Sequence, residues 1–231
     1  MKLVTRSLAA IALLVYPSYG AVLLSENFDN IAAITGSGWV MTNNSSPAGT
    51  TNWFQGNTTP FTAHAGASDS YIAANFENAA LGGNISNWLF TPNVTVNNGF
   101  VLSFYTRTET GSAFPDRLQV RLSLNGASTN VGGTATSVGD FTTLLLDINP
   151  LLSSGVYPET WALQTVTLSG LSGATSARIG FRYFVSDTNN NGNYIGIDTV
   201  SLDDAVPEPS SSLLAGLALA GLALCNKRRK Q

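Results

Sequence analysis

The chain of 231 residues holds one histidine and one cysteine, which restricts its chemistry from the start. Cys225 falls in an apolar run near the C-terminus, so His64 alone would have to activate any serine or threonine nucleophile. No Gly-x-Ser-x-Gly turn is present to expose such a hydroxyl, and Thr62-Ala63-His64-Ala65-Gly66 reads as a loop carrying an exposed histidine. Zinc needs a cluster of His and Cys ligands, and the sequence has none. Two carboxylates about 5 to 9.5 Å apart are enough for a glycosidase. Glu26, Glu77, Glu109 and Glu159 are available, yet none stands in a context that marks an acid/base pair. The inventory reads as that of a protein that is not an enzyme.

Oxygen ligands offer more. Asp187-Thr188-Asn189-Asn190-Asn191-Gly192, with Asp198 at the twelfth place, follows a calcium-loop pattern except that Asp closes it instead of Glu. Both flanks read as strands, which puts Asp198 roughly 16 to 20 Å from the loop tip, so the segment reads as an Asn-rich hairpin loop. Asp198 shares parity with Val200 and Leu202, and in a regular strand it would point inward. A buried carboxylate needs a partner. Glu26 or Asp29 of the first strand with a bridging Ca²⁺ would provide one, and a backbone amide or an arginine would serve equally. Among the aromatics, Trp39, Trp88, Phe104 and Trp161 read as core. Trp53-Phe54, beside Asn52, Gln55 and Asn57, is the best loop candidate for stacking on a ligand.

The elements that must position these residues are strands. Leu118, Val120, Leu122 and Leu124 alternate with Arg117, Gln119, Arg121 and Ser123, and Ala177 to Val185 repeats the pattern with Arg178 and Arg182 on the outward side. Further strands are expected at Val22 to Phe28, Tyr71 to Asn75, Trp88 to Phe90, Phe100 to Arg107, Trp161 to Leu168 and Tyr194 to Leu202. Asn97-Asn98-Gly99, Asn125-Gly126, Val131-Gly132-Gly133 and Asp187 to Gly192 supply turns, and Thr143 to Leu152 could hold a helical turn or two. Many half-buried strands without βα alternation predict an all-β antiparallel β-sandwich, of which the jelly roll is one form.

Both ends differ from this middle. Lys2 and Arg6, the apolar run Leu8 to Val15, and the small residues Ser18 and Gly20 form a signal peptide over residues 1–20, too short to span a bilayer. At the other end Val206-Pro207-Glu208-Pro209 precedes an apolar stretch and then Lys227, Arg228, Arg229 and Lys230. Residues 210–225 would make a helix of about 24 Å, which snorkelling basic residues can fit to a membrane, with the cluster 227–230 held on the cytoplasmic side. The domain between, residues 21–204, is acidic. From Ala21 to Val206 there are five Arg, no Lys and thirteen Asp plus Glu, a formal charge of −8, which excludes nucleic acid as a partner.

Pro-Glu-Pro, an apolar helix rich in Leu, Ala and Gly, and a terminal basic cluster together resemble the PEP-CTERM sorting signal of Gram-negative bacteria. The resemblance covers residues 205–231 and implies an exosortase-type membrane enzyme as partner. It also implies transient inner-membrane anchoring, followed by a place at the cell surface or in the extracellular matrix. Glu26-Asn27-Phe28-Asp29, Gly38-Trp39, Ser86 to Pro92, Val166 to Gly173, Arg178 to Tyr183 and Ile197-Asp198-Thr199-Val200 resemble choice-of-anchor J domains. Those are MAM-like jelly rolls related to cleaved-adhesin modules, and the likeness runs from about Leu24 to Asp203. Gly180 departs from it, standing where Ala is commoner, as does Asn27, where an acid is frequent. The resemblance implies a non-catalytic surface or matrix protein acting in adhesion or exopolysaccharide association. A carbohydrate-binding module with a discrete sugar ligand is the alternative, and a glycoside hydrolase the third reading. Related jelly rolls often carry a structural calcium, so the resemblance also points to a cation at Glu26, Asp29 and Asp198.

Overall fold

Alternating apolar positions need two sheets to close a core, and the chain builds them in sequence order. In the computed structural model, which describes residues 20–204, the strands are β1 (Val22–Glu26), β2 (Val40–Asn43), β3 (Ser46–Ala48), β4 (Phe54–Gln55) and β5 (Ile72–Asn75). They continue with β6 (Ala79–Phe90), β7 (Val94–Val96), β8 (Val101–Thr108), β9 (Leu118–Ser123), β10 (Thr143–Ile148), β11 (Ala162–Thr167), β12 (Thr175–Val185) and β13 (Tyr194–Asp203). The first sheet runs β11-β8-β13-β5-β4, with β1 beside the C-terminal half of β13. The second runs β10-β9-β12-β6-β2, with β3 on β6 and β7 on β12. The strand pairs are antiparallel, so the domain is an all-β sandwich of the jelly-roll kind.

The core lies between the sheets. Leu102, Phe104, Ile195 and Ile197 come from the first sheet, and Leu118, Val120, Ile179, Phe181 and Tyr183 from the second. Phe104 meets Phe181 edge to face at 5.0 Å, joining β8 to β12 across the sandwich. At one end Asp116 is fully buried and fastens the two sheets together. It accepts hydrogen bonds from the Tyr183 hydroxyl of β12 at 2.5 Å, the Thr108 hydroxyl of β8 and the backbone N–H of Asn193 at 2.8 Å.

Three sequence expectations need correction. Thr143–Ile148 is a strand and not a helical turn: its unbroken Leu144-Leu145-Leu146 run has no period of its own, and pairing with β9 decides it, with a bulge between Leu144 and Leu146. Trp88 to Phe90 is only the end of the twelve-residue β6, whose earlier part, through Gly82-Gly83 and Asn84, has no apolar alternation to announce a strand. Arg178 and Arg182 do leave the inter-sheet core, but both are buried: Arg182 because the loop 124–142 folds back over the outer face of the second sheet, and Arg178 against the carbonyls of Gly38 and Thr91. That loop brings Phe141 onto Trp88 and Phe90, with ring centroids at 5.4 and 4.8 Å, and makes a second small core with Val131. Of the expected signal peptide, 1–20, residues 1–19 lie outside the described residues, as does the expected membrane helix, 210–225. Among the described residues no helix is long and apolar enough to cross a membrane.

Candidate functional site on the outer face of the first sheet

Asp198 reaches its position through an irregularity in β13. Asp198 pairs with Tyr105 of β8, but the next pair is Ser201 with Ser103, so three steps on β13 answer two on β8. Thr199 takes a positive φ of 50° at this bulge. The extra residue switches parity. Val200 and Leu202 enter the core, while Asp198 keeps the parity of Tyr194 and Gly196 and points to the outer face, contrary to the inward orientation that regular alternation predicts. The carboxylate is nevertheless 0 % exposed, because the loop between β4 and β5 lies across it.

That loop supplies the partners. Oδ2 of Asp198 accepts the backbone N–H groups of His64 at 2.8 Å and Ala65 at 3.1 Å, and Oδ1 accepts the N–H of Thr199 at 2.6 Å and its hydroxyl at 3.2 Å. Burial pushes the Asp198 carboxyl above its ordinary range, and the amides of Ala65, Thr199 and His64 pull it back. Of the partners the sequence left open for this charge, a cation, an arginine or backbone amides, it is backbone amides that face it.

The same loop carries aromatic cover. Phe61 packs on Tyr71, which precedes β5, and Tyr194 of β13, with Trp161 edge-on at 5.5 Å, and the Trp161 indole N–H donates to the Thr62 carbonyl at 2.8 Å. The Tyr71 and Tyr194 hydroxyls lie 3.0 Å apart, and burial raises both phenols. His64 stacks flat on Tyr105 at 3.5 Å, and its Nδ1 meets the Thr199 hydroxyl at 3.2 Å. His64 is exposed, and Tyr105, Trp161 and Phe54 are half-buried, so the rim of this patch is open to solvent.

The sequence-selected residues separate. Glu26 pairs with Val200 on β13, so first and last strands do adjoin, and Asp29 comes close to Gly66 in the covering loop. Glu26 Oε1, however, accepts the N–H of Phe28, two residues on, at 2.8 Å. Among the described residues no three His, Cys, Asp or Glu side chains converge as metal ligands. The groups facing Asp198 are N–H and O–H donors, whereas calcium requires oxygen acceptors, so Glu26, Asp29 and Asp198 do not fit a calcium centre. In the β12–β13 loop the Asp187 carboxylate is taken by the side-chain amides of Asn189 and Asn190. Trp53 is 4 % exposed and belongs to the inter-sheet core, so only Phe54 of that pair reaches the rim, 5.8 Å from Tyr194. Adjacent residues of extended chain point to opposite sides, and Trp53, just before β4, and Phe54, its first residue, part in this way.

His64, Tyr105, Thr199 and Trp161 are the members that sequence reasoning did not group. Gly196 carried a usable signal: a Cβ there would lie 2.8 Å from Trp161 and 2.9 Å from Phe61, and a glycine inside a strand marks such a close approach. The hydroxyl of Thr199 stands between the imidazole and the carboxylate, an order in which the acid cannot orient the ring as a triad requires. What this arrangement can do is hold a loop and present ring faces and hydroxyls.

Residues 205–229 match the PEP-CTERM protein-sorting motif. No curated protein matches the sequence. The chain is similar in structure to the K1 cleaved adhesin domain of Lys-gingipain from Porphyromonas gingivalis W83, with a TM-score of 0.55 and 23% identity over 80% of this chain and 99% of that one. The K3 domain of the same protein gives a TM-score of 0.54 and 21% identity, again over 80% and 99%. The sandwich therefore has the cleaved-adhesin fold and is followed in the chain by a sorting motif.

Proposed function

We propose that this is an exported, non-catalytic surface or matrix protein, sorted by an exosortase-type membrane enzyme through its tail, whose sandwich associates with extracellular polysaccharide or mediates adhesion. The observation that carries the proposal is the sorting motif at 205–229, which begins two residues after β13 ends at Asp203. Its basic cluster, Lys227, Arg228, Arg229 and Lys230, supplies the charge that the positive-inside rule keeps cytoplasmic, leaving the sandwich on the opposite side.

The test is intact mass and cell fractionation in a host with an exosortase, comparing the natural chain with one in which Pro207, Glu208 and Pro209 are all replaced by Ala. The natural chain should lose the residues beyond the motif and collect at the surface or in the matrix, while the altered chain stays full-length in the membrane. Identical masses and fractions for both would overturn the proposal.

A carbohydrate-binding module with its own soluble sugar is the second reading, supported by the half-exposed rings of Tyr105 and Trp161 beside His64 on the outer face. A glycan array decides between them: one defined sugar held at about micromolar strength favours the module. Turnover of polysaccharide by the purified protein would overturn both.

A further inference from the structure

Four of the five arginines in this acidic, lysine-free domain stand on two neighbouring strands of the second sheet: Arg117 beside the start of β9, Arg121 within it, and Arg178 and Arg182 on β12. Their spacing of four gives each strand's pair one parity, so all four share the outer face. Asp147 of β10 is the carboxylate engaged there, holding Arg117 through two bonds of 2.8 and 2.6 Å. Asp140 of the covering loop is occupied by Asn125, Ser128 and Asn130. Gln119 joins the set: its amide donates to Asp147 at 3.0 Å, and its carbonyl oxygen accepts from Arg121 at 3.0 Å and Arg182 at 3.2 Å. Three guanidinium groups thus share one carboxylate within a single network.

This excess of charge is costly to the fold. Arg182 is 1 % exposed, with its other donors on Ser86 and on the carbonyl of Ala135. Burial, then Arg121 and Arg117, brings its pKa down to about 9. Burial also lowers Arg121, with a further push from Arg117. A face selected only for packing would carry apolar groups here. The positive field is also accessible: Arg117 and Arg121 are half-buried, and Nη1 of Arg117 and Nη2 of Arg121 have no hydrogen-bond partner among the described residues. Between Arg117 and Arg182 lies the half-buried ring of Phe184, 5.0 and 3.7 Å from their guanidinium carbons.

We propose that Arg117, held by Asp147 and Phe184, and Arg121, held by Gln119, form a binding site for an acidic polysaccharide bearing carboxylates. The free Nη1 of Arg117 and Nη2 of Arg121 can each donate a charge-assisted hydrogen bond to a sugar carboxylate, and Phe184, stacked between Arg117 and Arg182, holds the Arg117 guanidinium in place. Four residues of strand separate the two arginines by about 13 Å, so a polymer engages both where a single small anion engages one. The inference deepens the proposed polysaccharide association and rests on it, but its readout is independent of tail sorting. Sorting can fail while binding holds, and the reverse.

The experiment is affinity electrophoresis of the full chain in detergent, through gels containing polygalacturonate, neutral dextran or duplex DNA, at low and high salt. Retardation is expected in polygalacturonate alone and should fade with salt. Arg117→Gln and Arg121→Gln should each weaken it at least about tenfold, Arg121→Lys less so, and monomeric galacturonate should compete poorly. Arg107→Gln, which removes the same charge from the first sheet, should leave it intact, with thermal melts confirming that each variant folds. Equal mobility in polygalacturonate and dextran overturns the site. Equal retardation by DNA overturns the carboxylate assignment, and an equal effect of Arg107→Gln reduces the site to net charge.

Discussion

The backbone N–H of His64 donates to Oδ2 of Asp198 at 2.8 Å across 134 residues of sequence. Through this bond and its neighbour from Ala65, a strand carboxylate fixes the loop that carries Phe61 and His64 over the first sheet. Asp198→Ala should cost about 1 to 3 kcal/mol, because it leaves two loop N–H groups and the N–H of Thr199 without an acceptor. Urea unfolding measures the loss, and limited proteolysis should cut first between residues 56 and 70. A variant as stable and as resistant as the parent would remove Asp198 from this role.

A second expectation follows from the chemistry of those donors. Since N–H and O–H groups meet the Asp198 charge, the melting temperature should be the same in millimolar calcium and in excess chelator. A cation bound only by the folded state would instead raise stability by about 2.7 kcal/mol at a free concentration a hundred times its Kd. A clear upward shift with calcium would mean that a cation carries the charge and that the loop amides are secondary.

Asp116 should make stability depend on pH. Burial raises its pKa, against the pull of hydrogen bonds from Thr108, Tyr183 and Asn193. A carboxyl that holds its proton more tightly when folded stabilises the fold fully below its unfolded pKa, about 3.9, and loses that contribution as pH rises through the folded value. The stability of the parent minus that of Asp116→Asn should therefore fall as pH is raised from about 4, by about 1.4 kcal/mol for each unit between the two pKa values. Asp140 and Asp187, whose pKa values are lowered chiefly by Ser128 and Asn190, act in the opposite sense but cancel because both proteins carry them. Urea titrations across this range read the difference, and a constant or rising one contradicts the assignment.

Much of the sandwich was legible because period-two alternation reports which side of a sheet a residue takes. Leu118, Val120 and Leu122, and Ile179, Phe181 and Tyr183, line the core as their spacing requires. Alternation carries no information about an added residue, and for that reason Asp198 was given the parity of Val200 when the bulge at Thr199 gives it that of Gly196. Nor does it say whether an outward face is wet. Arg182 and Trp88 are buried on the outer side of the second sheet because a loop returns over them, a long-range event with little local signature. The trace it leaves is glycine: a Cβ at Gly180 would meet Phe141 at 3.1 Å and Trp88 at 3.2 Å, tighter than ordinary packing, as a glycine inside a strand often signals.

Gly196 gives the sharpest test of this reading, because three rings converge on it. A Cβ at this position would stand 2.8 Å from Trp161 and 2.9 Å from both Phe61 and Tyr71, closer than carbon atoms can pack. β13 cannot retreat, since Gly196 pairs with Arg107 on one side and Ala73 on the other, so the rings must move. Gly196→Ala should therefore destabilise by about 1 to 3 kcal/mol, the usual cost of overpacking, and should strain the Trp161 indole bond to the Thr62 carbonyl. Trp39, Trp53 and Trp88 are buried elsewhere, so a red shift in tryptophan emission would report Trp161 becoming wetter. Gly36→Ala is the control, because nothing lies within 4 Å of a Cβ there and the change should stay within about 0.5 kcal/mol. If the two variants melt alike and Gly196→Ala leaves the emission unmoved, the aromatic cover does not press on β13, and the loop is held by its hydrogen bonds and not by ring packing on Gly196.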